Sequence, residues 1–339
     1  MKKNTSIPAT RRDFLQALTA LSATHLFSAC QSVTGRSGKS VETKAPYRLI
    51  VDAHQHLWDL NELELPWLQK ADPRIAKTFL SDAYQEATEG LPVRAMYMEV
   101  AVADTQLERE AKWIEGLITS GTTQTVAAVL SGRPSHPEFA EYLDRCMDQT
   151  LLKGIRRILH DADIPRGTCL EPDFIRGIQL LGKKGLTFDV CIRPRELRDV
   201  VTLASECPET QFVLDHCGNG DPKAFQTSPK AKPNHSAAEW QRSIEAIAKK
   251  PNVACKISGV MEPMSEGWTA EDLAPVVNHC LDAFGSDRVL FSSNWPVCLL
   301  GGSLRQWVDA LALITANRPE TDRSKLWAEN AKRIYKLTV

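Results

Sequence analysis

The chain has 339 residues, of which 43% are hydrophobic and 24% are charged, proportions that are typical of a globular protein and exclude a disordered chain. Its formal net charge is -1, and it has no run rich in lysine and arginine, so we expect no nucleic-acid partner. The length is sufficient for one large α/β domain or for two smaller ones.

An export signal is predicted at the beginning of the chain. The twin arginines Arg11 and Arg12 precede a modestly apolar stretch that runs from Phe14 to Ala29. A basic segment followed by a short apolar one is typical of exported proteins, and a twin arginine is typical of the route that carries folded proteins. The stretch is too short to span a bilayer.

A lipid anchor is predicted where this stretch ends. The residues Leu26-Phe27-Ser28-Ala29-Cys30 resemble the lipobox of bacterial lipoproteins, and a Ser/Gly/Lys-rich segment follows them. We therefore expect residues 1–29 to be a twin-arginine-type lipoprotein signal, Cys30 to carry the lipid, and residues 30–46 to be a tether. These features predict an exported protein on the periplasmic side of the cell envelope, which meets the membrane only through its lipid anchor.

Eight cysteines remain after Cys30, and none of them forms a Cys-x-x-Cys pair. Cys191, Cys217, Cys255 and Cys298 lie in or beside apolar strand-like runs, where a free thiol behaves as a small hydrophobic group. We expect core thiols, and disulfides in an oxidising compartment are the alternative.

From Tyr47 onward, short β-rich runs alternate with amphipathic helical patterns, which indicates a parallel α/β sheet. The eight predicted strands are Arg48 to His54, Arg94 to Val100, Gln124 to Leu130, Leu152 to Ile158, Leu186 to Ile192, Gln211 to His216, Asn252 to Ser258 and Arg288 to Ser293. Predicted helices include Gln106 to Ser120, Pro137 to Gln149, Pro172 to Lys183, Ala237 to Lys250, Ala270 to Phe284, Ser303 to Thr315 and a closing helix near Arg323 to Tyr335. This pattern favours a single (β/α)8 TIM barrel over residues 47–339. No Gly-x-Gly-x-x-Gly follows any strand, which argues against a dinucleotide-binding fold.

Two histidines, His54 and His56, end the first predicted strand. Residues i and i+2 of an extended strand point to the same side, so both imidazoles would project together from its carboxyl end. Such a pair can bind a metal or polarise a reacting carbonyl. The alternative is two surface polar residues at the end of a strand.

Polar side chains also lie at the ends of other predicted strands, where TIM barrels place their chemistry. They are Glu99, Arg156, His160, His216, Lys256 and the pair Asn294-Trp295. Glu99 is enclosed by apolar neighbours, and a buried charge needs a partner. Taken together these residues predict a functional site, whereas Glu99 or Lys256 alone is also compatible with a structural role.

These motifs resemble the amidohydrolase superfamily, and specifically its amidohydrolase-related branch, which includes sugar-acid lactonases. The matching segments are Asp52-Ala53-His54-Gln55-His56-Leu57-Trp58, Lys153-Gly154-Ile155-Arg156, Phe212-Val213-Leu214-Asp215-His216, Cys255-Lys256-Ile257-Ser258-Gly259, Phe284-Gly285-Ser286-Asp287-Arg288, Asn294-Trp295-Pro296-Val297-Cys298 and Glu329-Asn330-Ala331-Lys332-Arg333-Ile334-Tyr335. The resemblance runs from about Tyr47 to Leu337. It implies a barrel hydrolase that is either metal-dependent or metal-independent.

The resemblance also implies roles for individual residues. The superfamily's strand-one histidine pair falls on His54 and His56, and its strand-six histidine falls on His216. The strand-eight position normally holds an aspartate that binds metal or activates water, and here it is Asn294. A neutral amide cannot accept a proton and is a weaker metal ligand. A strand-five histidine is also missing, so the expectation is one divalent metal such as zinc, held by His54, His56 and His216 or Glu99, or no metal.

The function that follows is hydrolysis of a small cyclic ester, most simply a sugar-acid lactone. Imidazoles or a zinc ion would polarise the carbonyl, and His216 or Glu99 would activate water. Arg156, Lys256 and Trp295 are the expected substrate contacts. Two alternatives stay open: a decarboxylase or other lyase in which Arg156 and Lys256 hold a carboxylate, and a catalytically inactive lipoprotein that binds a sugar acid.

Overall fold

The structure is a computed structural model that describes residues 48–339, with the exception of residue 147 and residues 228–231. The predicted export signal, the predicted lipidation site Cys30 and the whole predicted tether lie outside these residues. Within the described part of the chain, none of the helices has both the length and the apolar character needed to cross a membrane.

The predicted barrel is confirmed. Eight parallel strands form one sheet in the order in which they occur in the chain, and each strand pairs with the next. The strands are β1 (Ile50–Gln55), β2 (Val93–Met98), β3 (Thr125–Ser131), β4 (Leu152–Ile158), β5 (Thr187–Cys191), β6 (Gln211–Leu214), β7 (Val253–Ile257) and β8 (Val289–Phe291). Each of them overlaps one of the eight predicted strands.

Helices alternate with the strands along the chain. The main ones are Ser81–Ala87, Leu107–Thr119, Phe139–Arg145, Pro172–Lys184, Leu197–Glu206, Ala237–Ala248, Ala270–Phe284 and Leu304–Ile314, and a closing run comprises Glu320–Ser324, Lys325–Glu329 and Asn330–Ile334. The helix predicted from Pro137 to Gln149 is shorter than expected. Leu197–Glu206 was not among the predicted helices, although its buried residues Leu197, Val200 and Leu203 recur every three positions, as on one helical face.

The barrel has an inner and an outer apolar layer. Alternate strand residues, such as Val51, Met96 and Val129, form an inner cluster, and the closing helical run packs Ala331 and Ile334 against it. The other strand residues form a larger cluster with the surrounding helices. The eight cysteines of the described chain are all buried and none of them forms a disulfide, which confirms the prediction of core thiols.

Hydrogen bonds join the first strand to the segment that follows the last one. The N–H of Asn294 donates to the carbonyl of His54 across 2.9 Å, and the N–H of His56 donates to the carbonyl of Trp295 across 2.7 Å. The carboxylate of Asp52 accepts from the N–H of Ser293 at 2.8 Å and from its hydroxyl at 2.5 Å. This closure places the histidine pair beside Asn294.

Candidate active site

A cavity of about 290 Å³ opens where the carboxyl ends of the strands meet. Five of the polar residues that the sequence pointed to line it: His56, Arg156, His160, His216 and Asn294. They lie in or shortly after four different strands, so the barrel brings together side chains that are far apart in the sequence. The predicted clustering of these residues is therefore what the structure shows.

The two histidines of β1 face each other, with Nε2 of His54 lying 3.1 Å from Nε2 of His56. His56 Nδ1 is 2.9 Å from the carbonyl oxygen of Met98, and because that oxygen can only accept, Nδ1 carries the proton and Nε2 is unprotonated. Simple strand alternation would put Asp52 on the same side as His54. The register between β1 and β2 shifts between Asp52 and Gln55, and this irregularity accompanies the turning of His54 into the barrel.

His54 lies at the centre of a charged network inside the barrel. Its Nδ1 is 3.2 Å from Nζ of Lys256 and 3.4 Å from Oδ1 of Asp215, and its Nε2 is 3.2 Å from Nη1 of Arg156. Burial, reinforced by the charge of Lys256, lowers the pKa of His54 well below its usual value. The imidazole of His54 is therefore neutral at pH 7.

The other two site histidines are also neutral. Burial lowers the pKa of His56 to about 4, and the charge of Arg156 acts in the same direction. Burial lowers the pKa of His216 to about 3, although the charge of Asp215 opposes this shift. His216 Nδ1 lies 2.9 Å from the hydroxyl of Ser258, which fixes the ring beside the cavity.

Glu99 lies behind Arg156 and does not line the cavity. One carboxylate oxygen accepts from Arg156 Nε at 2.6 Å, and the other accepts from the Ser131 hydroxyl at 2.5 Å and from the Ala101 N–H at 2.7 Å. Burial alone would raise the pKa of Glu99, but the charge of Arg156 and these hydrogen bonds hold it below its usual value. The structure thus corrects the expectation that Glu99 activates water or binds metal, because its oxygens already hold the guanidinium in place.

The structure also corrects the substrate contacts expected of Lys256 and Trp295. Lys256 is 0% exposed, and its ammonium lies 2.5 Å from Asp189 and 3.0 Å from Asp215, inside the barrel. Trp295 is 2% exposed and packs edge-on against the rings of Phe79 and Tyr84. Both residues support the site from behind the cavity wall.

Asn294 follows β8 and lines the cavity, at the place where the resemblance expects an aspartate. Its side-chain nitrogen donates to Glu262 Oε1 across 2.7 Å. Asn294 and His216 have φ angles of 57° and 55°, in the left-handed region that side chains other than glycine seldom adopt. Such conformations cost free energy and persist where the surrounding structure fixes them, which is common at functional sites.

Several polar residues of the site were not predicted from the sequence. Asp215 precedes His216 at the end of the apolar run Phe212 to Leu214, and Asp189 lies in an apolar strand, so an acidic residue among apolar neighbours was a usable signal for both. Glu262 lies in the segment between β7 and the next helix, which has no periodic pattern. At the other side of the cavity, Cys191 Sγ lies 3.2 Å from Nδ1 of His160, a residue that the sequence had already pointed to.

The donor atoms of His54, Asp215 and His216 all lie within 4.8 Å of one another, and the three residues are buried. Imidazole nitrogen and carboxylate oxygen are the ligands that zinc takes in catalytic sites. His56 adds a further imidazole next to His54. The donor set therefore fits one divalent metal, while Lys256 competes with such an ion for Asp215 and His54.

Comparison with known proteins agrees with this geometry. The sequence profile of the amidohydrolase family matches residues 51–337. The chain is 29% identical over 296 residues to the L-fucono-1,5-lactonase of Burkholderia multivorans, which covers 85% of this chain and 96% of that protein. A crystal structure of an amidohydrolase from Burkholderia multivorans with bound zinc has a TM-score of 0.73 at 28% identity, over 86% of this chain and 100% of that one.

A more distant structural neighbour is a 2,6-dihydroxybenzoate decarboxylase complexed with 2,6-dihydroxybenzoate. It has a TM-score of 0.58 at 14% identity, over 85% of this chain and 99% of that one, a likeness of fold alone. The family profile, in contrast, spans nearly all of the barrel. The chain belongs to the amidohydrolase family.

Proposed function

We propose that this protein opens a sugar-acid lactone by hydrolysis in the cavity at the carboxyl ends of its strands. The observation that carries the proposal is the position of Arg156, which lines the cavity between neutral imidazoles while Glu99 holds its guanidinium from behind. The similarity to a protein named as an L-fucono-1,5-lactonase supports the substrate class.

Arg156 supplies the fixed positive charge of the cavity. Its Nε and Nη2 donate to the carboxylate and the carbonyl of Glu99 at 2.6 and 2.7 Å, so the guanidinium has one orientation. A guanidinium held in this way binds the hydroxyls or the carbonyl oxygen of a sugar acid and stabilises negative charge that develops there. Because Glu99 and Asp215 already fix it, little reorganisation is needed during the reaction.

His56 and His216 complete the polar wall. Both are neutral at pH 7, so they act as hydrogen-bond partners of the substrate and of water rather than as cations. We propose one zinc ion as the cofactor, held by His54, Asp215 and His216 with His56 beside them. When bound, a divalent metal supplies Lewis-acid polarisation of an ester carbonyl.

A lyase is the second candidate, and one observation weakens it. The decarboxylase interpretation depended on Arg156 and Lys256 holding a carboxylate together, but Lys256 is buried against Asp189 and Asp215. Of these two cations, only Arg156 lines the cavity. The inactive sugar-acid-binding alternative depends on Asn294 and is decided by turnover.

A panel of aldonic acid lactones tests the proposal, with ring opening followed by acid release at constant pH. We expect turnover by the wild-type protein and a loss of about 10²-fold in Arg156→Lys, because a lysine cannot reproduce the forked contact. Arg109→Lys is the matched control, since Arg109 is exposed and pairs with Glu62 at the surface. Release of carbon dioxide from a carboxylate substrate would favour the lyase, and binding of sugar acids without turnover would favour the binding protein.

For the residues before the described structure, we propose export and anchoring through a lipid on Cys30. Cys30→Ser should move the protein from the membrane fraction to the soluble fraction, whereas Ser32→Ala, two positions along, should leave it in the membrane. Fractionation and immunoblotting of both variants measure this. Retention of Cys30→Ser in the membrane contradicts the anchor.

A further inference from the structure

The amide of Asn294 is hydrogen-bonded to a carboxylate. Asn294 Nδ2 donates to Glu262 Oε1 across 2.7 Å, so a carboxyl group lies next to the position where a strand-eight aspartate is expected. Glu262 comes from the segment after β7, whereas Asn294 comes from the segment after β8. The carboxyl group of Glu262 thus lies next to Asn294, which occupies the position where an aspartate is expected.

The second oxygen of Glu262 is free to act. Oε2 is buried and has no hydrogen-bond partner within the described part of the chain, and Glu262 lines the cavity together with His56, His216 and Asn294. A buried carboxylate oxygen without a donor costs free energy unless water or a ligand satisfies it. One carboxylate oxygen of Glu262 therefore accepts a hydrogen bond from Asn294, and the other can accept one from a water molecule or a ligand.

Other carboxylates near the cavity are not equivalent to Glu262. The oxygens of Glu99 are taken by Arg156, Ser131 and a backbone N–H, and Asp189 and Asp215 face Lys256 inside the barrel. Asp161 also lines the cavity, but its side chain is 51% exposed and lies beside His160 at the rim. Glu262 combines a cavity position with a buried carboxylate oxygen that has no partner among the described residues.

We propose that Glu262 is the general base that activates water in this protein, in the role of the absent strand-eight aspartate. The proposal rests on the lactonase function proposed above. Glu262 Oε2 takes a proton from water while the water oxygen forms a bond to the lactone carbonyl carbon. The ring C–O bond then breaks, the leaving oxygen takes that proton, and the products are the open hydroxy acid and the regenerated carboxylate.

The environment of Glu262 suits this role. Burial raises the pKa of its carboxyl, which the hydrogen bond from Asn294 partly opposes, and a carboxylate with a raised pKa is a stronger base near neutral pH. Asn294 is a positioning residue, because its backbone N–H is bonded to the carbonyl of His54 while its side chain holds Glu262. Glu262 is thereby fixed relative to the histidine pair.

Glu262→Gln separates the base from the hydrogen bond. Glutamine keeps the length of the side chain and an oxygen that accepts from Asn294, but it cannot take a proton. We expect kcat for lactone opening to fall by about 10²- to 10⁴-fold. Glu266→Gln is the matched control, because Glu266 lies in the same segment with an exposed side chain and should keep the wild-type rate.

Two carboxylate variants test for recovery. Glu262→Asp keeps a base at the same position, and Glu262→Gln combined with Asn294→Asp returns the carboxylate to strand eight with an amide beside it. We expect at least one of them to exceed the kcat of Glu262→Gln by about tenfold or more. A folded Glu262→Gln that keeps its rate, or a loss that neither carboxylate recovers, overturns the proposal.

The failure of the lactonase function is distinguishable from the failure of this assignment. If the wild-type protein opens no lactone, the proposed lactonase function is wrong. Glu262 is then tested by labelling with a water-soluble carbodiimide and glycine ester, followed by mass spectrometry. Labelling of Glu262, with Glu99 unlabelled, supports a protonatable carboxyl that faces the cavity. If Glu262 is as unreactive as Glu99, the assignment is wrong.

Discussion

Arg156 Nε lies 2.6 Å from Glu99 Oε1, in a pair whose side chains are 4% and 3% exposed. Glu99→Gln preserves the shape of the side chain but leaves the guanidinium without its nearest counter-charge. Breaking a buried ion pair by removing one partner costs about 3–5 kcal/mol. We expect a loss of that size in the free energy of unfolding of Glu99→Gln, measured by urea denaturation.

The matched control for this substitution is Glu62→Gln. Glu62 pairs with Arg109 at the surface, where both side chains are at least half exposed, and exposed pairs contribute little to stability. Equal unfolding curves for the two variants would contradict the assignment of Glu99 as the residue that holds Arg156.

Lys256→Met distinguishes a buried ion pair from a substrate contact. The ammonium of Lys256 lies between Asp189 and Asp215, so its removal leaves two buried carboxylates without their cation. We expect unfolding to become easier by about 3–5 kcal/mol. Lys153→Met, at a partly exposed position of β4, should change stability much less. A stable Lys256→Met protein with a raised KM would restore the direct substrate contact that the sequence suggested.

Metal content depends on the His/Asp cluster. Wild-type protein that is dialysed against zinc and then against metal-free buffer should retain about one equivalent, since the donor set of His54, Asp215 and His216 fits a single zinc ion. His54→Gln combined with His216→Gln should retain little, as measured by inductively coupled plasma mass spectrometry. His136→Gln, at an exposed histidine outside the site, is the control. Zinc retained equally by all three proteins would contradict the cluster as the binding site.

Glu110 makes stability depend on pH. Burial, followed by the charge of Glu99, raises the pKa of Glu110 to about 7, whereas an unfolded glutamate has a pKa of about 4.3. At low pH the carboxyl of Glu110 is protonated in both the folded and the unfolded state, so its raised pKa does not lower the free energy of unfolding. As pH rises through this window the unfolded chain ionises first, so the contribution of the protonated Glu110 to stability is lost by about pH 7.

Glu110→Gln removes this dependence while it keeps an acceptor for the Tyr97 hydroxyl and the Val100 N–H. Relative to wild type, the variant should gain about 2–3 kcal/mol of unfolding free energy between pH 5 and pH 8. Glu141→Gln, at an exposed helical position, should differ from wild type by the same amount at both pH values. A difference for Glu110→Gln that does not change with pH would show that this carboxyl is not buried in the way described.

The barrel and its histidine pair could be predicted from sequence because both depend on local patterns. Apolar runs end in polar residues at regular intervals, and parallel strands bring those ends to one face. His54 points to the side of β1 that the sequence predicts, but strand alternation alone does not explain this orientation. Alternation would put Asp52 on the same side as His54, and yet Asp52 accepts hydrogen bonds from Ser293 and Tyr84 on the other side. The register of β1 shifts between Asp52 and Gln55, and no residue type in the sequence indicates this shift.

Errors arose where a residue's partner belongs to a distant element. The sequence predicts Lys256 and Trp295 as substrate contacts because it shows that they lie at strand ends, but it does not show the acidic and aromatic neighbours that bury them. Glu262 escaped notice for the same reason. It has no pattern of its own, and it becomes part of the site through Asn294, which a different strand supplies.

The hydrogen bonds between Asp52 and Ser293 join residues 241 positions apart. A ribosome therefore releases almost the whole chain before the first strand can meet the segment after β8, and until then the sheet has two open edges with unpaired N–H and C=O groups. The same event that seals these edges brings Asn294 to His54. Chains that end before residue 294 would thus be prone to aggregation and would lack a complete site. Completion of the site and protection from edge-to-edge aggregation therefore occur in a single step.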